Sequence, residues 1–219
     1  MAASTPGLRV TTPFRVFLLS PADCSGKRAR LLQTPNPTHD LGRKMQSLEG
    51  AELGEVFSFV SSLYFRGKLG YARAFARPPS GKGGVHVITP CDGLRPPEAP
   101  LRASDLRRYA GVPVDAEEAR YRQPLLRDLQ AFLPAWADSE VVLLGSIASA
   151  KYVDLLTPAL GSRLLFPAEF VGRGDMSRGG LMLRCVQQRR ELTYVPVAGA
   201  ERRGQRPPRL APLAKPNPR

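Results

Sequence analysis

Three short apolar runs set the terms for this chain: Phe14–Leu19 (FRVFLL), Val85–Thr89 (VHVIT) and Glu140–Leu144 (EVVLL). Each is rich in strand-forming residues and each ends on breakers, at Ser20-Pro21, Pro90 and Gly145-Ser146, so each reads as a short buried strand. Helical patterns separate them. Val56–Ala76 carries Val56, Phe59, Val60, Leu63, Tyr64, Leu69 and Ala72 on one stripe, and Gly67 and Gly70 predict a break near Arg66 to Lys68. Ala116–Leu133 opens with acids and has an apolar face through Leu125, Leu126, Leu129 and Phe132, with Pro124 expected to divide it. A third helix is predicted from a cap at Ser149 to Leu160, with Gly161 as its exit. Shorter helices are expected after Asp23 or Ser25 and after Ser104 or Asp105. Further strands are expected at Arg163–Phe166, Leu181–Val186 and Leu192–Val197, the last two joined by a QQRRE turn.

Strands alternating with helices imply an α/β fold, or a mixed α+β one, with a central mixed sheet flanked by helices. The 219 residues suit a single domain. It is placed at residues 14–198, behind a flexible lead-in over 1–13 and ahead of a disordered basic tail over 199–219, where Arg, Pro and Gly dominate.

Lys and Arg number 32 against 19 acids, a formal charge of +13. An excess of that size favours an anionic partner, and phosphate of nucleic acid is the commonest. Aromatic residues make up 7% of the chain, which disfavours single-strand recognition by stacked rings and favours backbone-tracking contact to a duplex. Cys24, Cys91 and Cys185 lie far apart and only two histidines accompany them, so neither a disulfide framework nor a metal site is expected. No cofactor motif is present. The absence of a leader-like or membrane-spanning apolar segment leads to an expectation of cytoplasmic location and no membrane partner.

In open α/β sheets ligands gather at the carboxyl ends of the strands. The loops there are Ser20–Arg28, Thr89–Arg95 and Gly145–Lys151, bringing Lys27, Arg28, Arg95 and Lys151 as candidate phosphate-binding residues. The stretch Phe166–Leu183 (FPAEFVGRGDMSRGGLML) adds Arg173 and Arg178, whose forked donors suit phosphate oxygens. Its glycines Gly172, Gly174 and Gly179 would let the backbone approach a ligand or adopt positive φ. Asp175, Glu169 and Asp92 are candidate acids or bases. Cys91 and His86 lack a third orienting group for nucleophilic catalysis. Two functions fit: a nucleic-acid-binding protein with a basic cleft, and an enzyme acting on a nucleotide, nucleoside or nucleic-acid base.

The order of short motifs resembles the YaaA family of bacterial peroxide-stress proteins. Phe17-Leu18-Leu19-Ser20-Pro21-Ala22 is similar to that family's opening Leu-Ile-Ser-Pro-Ala-Lys, with Asp23 at the lysine. Gly93-Leu94-Arg95-Pro96 resembles its Gly-Val-Leu-Arg-Pro, and Ala148-Ser149-Ala150-Lys151-Tyr152 its Ala-Ser-x-Glu-Tyr, with lysine for the acid. Arg173-Gly174-Asp175-Met176-Ser177-Arg178 follows its Arg-Gly-x-Met-x-Arg, although Phe170 and Val171 stand where bases are usual. The resemblance implies a mixed α/β fold, a positively charged cleft, DNA binding and protection against oxidative damage.

Overall fold

The run FRVFLL forms β1 (Phe14–Leu19), in which every residue after Phe14 is buried, as a strand covered on both faces requires. The computed structural model describes residues 13–210; residues 1–12 of the expected lead-in and 211–219 of the expected tail lie outside it. After β1 come α1 (Lys27–Leu32), α2 (Asp40–Gln46), β2 (Ala51–Glu52), α3 (Leu53–Phe75), β3 (Val85–Ile88), β4 (Leu94–Arg95) and β5 (Pro100–Leu101). Then follow α4 (Ala103–Ala110), α5 (Ala119–Phe132), β6 (Ser139–Leu144), α6 (Ala150–Leu160), β7 (Leu164–Pro167), α7 (Asp175–Gln188) and β8 (Tyr194–Pro196).

Six strands make one sheet in the order β4-β3-β1-β6-β7-β8, and β2 pairs with β5 apart from it. The four inner strands are parallel, while β4 and β8 run antiparallel at the edges. The fold is therefore mixed α/β with helices flanking the sheet, as the alternation of strands and helices predicts. From β1 the chain crosses to one side, to β3, and from β6 it crosses to the other, to β7. Right-handed crossovers put α3, from the β1-to-β3 crossing, on one face and α5 and α6, from the β3-to-β6 and β6-to-β7 crossings, on the other, and the contacts agree: α5 packs with α6, and α3 with α7.

One element was expected with the wrong type. Leu181–Val186, predicted as a strand, lies inside α7. Its buried residues Gly179, Met182 and Cys185 recur every third position, a helical spacing that packing against α3 selects over local strand propensity. Three smaller differences accompany it. Pro124 sits inside an unbroken α5, and the break expected at Arg66 to Lys68 falls instead at Ser62, with φ 49° and ψ −126°. Asp23 does not cap α1. It accepts from Ser25 N at 3.0 Å, and Gly26 takes the cap position.

Gly67 and Gly179 explain where α3 and α7 meet. A Cβ on Gly67 would lie 2.6 Å from the Gly179 carbonyl oxygen, and one on Gly179 would lie 2.6 Å from the Leu63 carbonyl oxygen. Both obstacles are backbone, which cannot swing aside as a side chain can. Gly67→Ala or Gly179→Ala should thus each lower unfolding free energy by about 3 kcal/mol. Denaturant melts would show a midpoint shift for both, with Gly70→Ala as the mild control, since its added Cβ meets only Leu183 Cδ2 at 3.8 Å.

Candidate functional site

The reversal of strand order between β1 and β6 separates the loops that follow them, opening a crevice at their carboxyl ends. A cavity of about 550 Å³ occupies it. The loop after β1 contributes Ser20 to Ser25, the loop after β6 contributes Ser146, and α6 contributes Lys151 and Tyr152. Tyr64 from α3, Asp175 from the start of α7 and the segment after α4 complete the wall. The anticipated convergence of strand-end loops thus occurs, because β3, β1 and β6 run parallel.

Beneath the cavity lies Lys68, fully buried. Its Nζ donates to the Ser20 carbonyl oxygen at 2.5 Å and lies 2.9 Å from Ser20 Oγ. The rings of Tyr64 and Phe65 flank it, with centroids 4.4 and 4.8 Å from Nζ. Burial pushes its pKa down from 10.5 to about 7; the charge of Asp175 opposes that shift, and Lys151 and Arg178 reinforce it. Gly145 stands beside this pair, where a Cβ would approach Ser20 Cβ to 3.0 Å and Oγ to 3.3 Å. The Tyr64 hydroxyl is buried without a hydrogen-bond partner in the described residues, in a side chain that lines the cavity. Burial drives its pKa up to about 12 and raises that of Tyr152 as well, so both phenols stay protonated and can donate to a ligand.

Two helices begin at the cavity, α6 through Lys151 and α7 through Asp175, and neither Ser149 nor Gly174 caps its helix with a side chain. Their free amides and dipoles favour an anion.

The candidate residues read from sequence separate in the fold. Lys151 lines the cavity and is its sole cationic lining residue in the described part of the chain; Asp175 lines it too, 66% exposed and 3.6 Å from Arg178. Lys27 and Arg28 lie exposed on α1, and Arg28 Nη1 reaches the Phe59 carbonyl oxygen at 3.4 Å. Arg95 opens onto a second cavity of about 300 Å³, shared with Asp92, Asp105 and Arg108. Arg178 is 12% exposed and donates through Nε and Nη2 to the Phe170 carbonyl oxygen at 3.2 and 3.0 Å. Arg173 donates through Nε to the Glu169 carbonyl oxygen at 3.0 Å. These two arginines hold the turn ahead of α7.

Glu169 accepts from Thr193 N at 3.0 Å, tying that turn to the strand that follows. Asp92 accepts from both terminal nitrogens of Arg108 and from the Tyr109 hydroxyl at 2.8 Å. Burial pushes the Asp92 carboxyl up, but those hydrogen bonds outweigh it and hold the group below the ordinary carboxylate range. Gly172 has φ 71°, and its missing Cβ makes room for Gln205. Gly174 starts α7 in open space, and Gly179 accommodates α3. Residues 199–210 of the expected tail lie partly along this face, where Arg173 Nη1 reaches the Pro208 carbonyl oxygen at 3.5 Å.

Sequence reasoning missed Lys68, Tyr64 and Ser20 as a group. A signal existed, since Lys68 falls four residues after Tyr64 and four before Ala72, on the apolar stripe of its helix. Elsewhere, His86 packs against Phe132 and Trp136, away from Cys91, whose sulfur receives Arg108 Nη1 at 3.1 Å. No cluster of His, Cys, Asp and Glu suited to a metal ion exists among the described residues, and none of their helices is long and apolar enough to cross a membrane. No protein-family model, curated protein or solved structure matches the chain, so the chemistry of the site rests on its own residues.

Lys68 makes a prediction about stability. Between pH 7 and 10.5 the unfolded chain holds a proton that the folded chain has released. This group's contribution to stability is therefore constant below about 7 and rises with pH up to the unfolded value. Lys68→Met should remove that rise. Relative to the wild type, the variant should lose on the order of 2 kcal/mol between pH 7 and 9 in chemical unfolding, and parallel pH profiles for the two proteins would show that Lys68 stays charged in the fold.

Proposed function

We propose that this protein is an enzyme acting on a small anionic molecule of nucleotide class, bound at the carboxyl ends of β1 and β6. The observation that carries this reading is the cavity of about 550 Å³ at the reversal of strand order, a volume within the range of small-ligand sites. Lys151 and the uncapped starts of α6 and α7 would receive a phosphate. Tyr64 and Tyr152 would donate hydrogen bonds to the remainder of the ligand, and Asp175 would accept one.

A second reading, nucleic-acid binding with DNA ahead of RNA, draws on the net charge of +13 and on the resemblance to the YaaA family, with which a cytoplasmic role in oxidative-stress protection would agree. It requires a surface that tracks a phosphate backbone. Arg173 and Arg178 are engaged by backbone carbonyl oxygens, so the exposed Lys27 and Arg28 of α1 would carry more of such contact.

Calorimetric titration with nucleoside mono-, di- and triphosphates, their parent nucleosides and a short DNA duplex separates the two. Saturable 1:1 binding of a phosphorylated nucleoside is expected. Lys151→Ala should weaken that binding about tenfold, as loss of one charge-assisted hydrogen bond does, while leaving nucleoside affinity within about twofold. Heat from the duplex alone, weakening steeply with salt, would instead favour nucleic-acid binding.

A further inference from the structure

Ser20 closes β1, lines the cavity, and places its hydroxyl oxygen 2.9 Å from the amine of a fully buried lysine. From this geometry we propose that Ser20 and Lys68 form a nucleophile and proton-acceptor pair, and that the cavity carries out hydrolysis of a carboxylic ester through an acyl-Ser20 intermediate. The proposal rests on the small-molecule reading of the cavity and makes its substrate a carboxylic ester of a nucleotide hydroxyl, the nucleotide being the leaving alcohol.

Several features of the site fit that role together. A neutral lysine amine has two N–H bonds and one lone pair. One N–H donates to the Ser20 carbonyl oxygen at 2.5 Å, and in the neutral amine the lone pair is then free to accept from Ser20 Oγ–H, 2.9 Å away. The rings of Tyr64 and Phe65 pack on the same amine. Glycine at 145 leaves the space that the Ser20 side chain occupies. Across the cavity, Lys151 and the uncapped first turn of α6 supply positive potential for a developing oxyanion. A buried lysine donating to serine as an ammonium could instead be only structural, so its charge state matters. Burial pushes Lys68 down to about 7, which leaves a large neutral fraction at neutral pH. The charged groups facing it are Asp175 and Arg178 from α7 and Lys151 from α6.

In the first half-reaction Ser20 Oγ bonds to the ester carbonyl carbon as its proton passes to Lys68 Nζ. The bond from that carbon to the leaving oxygen then breaks, and the ammonium returns the proton to the departing alcohol. In the second, water attacks the acyl carbon with Lys68 taking its proton. The Ser20 Oγ–carbon bond breaks, the proton passes to Ser20, and the carboxylic acid leaves and ionises in solvent.

The test treats the full chain with a fluorophosphonate probe, which reacts with activated serines, and with p-nitrophenyl acetate, followed by peptide mass spectrometry. A covalent adduct on Ser20 is expected, and its rate of formation should rise with pH to a plateau, with a midpoint near 7. Ser20→Ala should abolish the adduct, and Lys68→Met should slow it at least about 100-fold. Should Lys68→Met fail to fold, the pH profile of the wild type decides the role of the lysine, since a purely structural lysine predicts no such midpoint. Absence of a Ser20 adduct in protein that still binds a phosphorylated nucleoside would overturn the dyad and leave the nucleotide reading standing. A Ser20 adduct in protein that binds no nucleotide would uphold the dyad and remove the nucleotide as its substrate.

Discussion

The crossing of α3 and α7 at Gly67 and Gly179 is the contact on which the rest of this molecule depends. With no side chain at either position, the two backbones approach to a distance that a single Cβ would forbid. The consequence reaches past packing. Lys68 follows Gly67, and Asp175 and Arg178 precede Gly179 by less than a helical turn and a half. Close approach of the glycines therefore brings these charged groups within reach of the lysine. The same crossing sits beside Ser62, whose φ of 49° is a conformation that side chains rarely adopt. A residue in that region costs energy and persists only where its surroundings over-determine it. Here the surroundings are the α7 backbone, packed on Leu63 and Tyr64 immediately after the bend.

Why a lysine should occupy the most buried stratum of the protein follows from what else is there. The β1 strand ends at Leu19, and Ser20 N still pairs with the Leu144 carbonyl oxygen at 3.2 Å. At that point the sheet hydrogen bonding runs out on one side, leaving the Ser20 carbonyl oxygen below the cavity floor. Lys68 satisfies it. A neutral donor would serve this purpose at lower cost in desolvation, because burying an ammonium is expensive unless it is paired. No carboxylate bonds Lys68 among the described residues; Asp175 acts on it through its charge alone and is itself 66% exposed. With burial bringing the group down to about 7, amine and ammonium are both populated at neutral pH, which proton transfer requires and a purely structural role does not.

Much of this was legible in the sequence, and the illegible part has a definite physical character. The strands β1, β3 and β6 announce themselves by unbroken apolar runs with breakers behind them, and their alternation with helices fixes the layer architecture. The site's address, at strand ends near Ser20 and Gly145, followed from the same pattern. What local reading misjudged was whatever depends on contact between distant segments. Leu181–Val186 has strand-like composition, yet it is helical because Gly179, Met182 and Cys185 face α3. Arg173 and Arg178 look like ligand-binding forks, yet carbonyl oxygens of their own turn engage them. Lys68 sat on an apolar stripe and looked like an interruption to a helix. A lysine at a core position is better read as a group whose pKa the fold has altered.

The two ends of the sheet treat charge in opposite ways, and the contrast bears on where function resides. At the amino end of β1, Arg15 pairs with Glu140 and Glu191, Glu191 also pairs with Arg77, and the Tyr194 ring lies 4.4 Å from the Arg15 guanidinium. Every formal charge in that cluster meets an opposite one, as a structural ion-pair network should. At the carboxyl end, among the described residues, Lys68 is hydrogen-bonded by Ser20 alone and the Tyr64 hydroxyl by nothing, and the starts of α6 and α7 lack side-chain caps. Folding alone would favour completing these interactions, since each unmet polar group costs stability. Buried polar atoms without a partner occur at both ends, Arg77 Nε and Ser139 Oγ among them, but Tyr64 is the one whose side chain lines the cavity among the described residues, where a ligand could meet it. The overall excess of positive charge adds a long-range field that would draw an anionic ligand toward it.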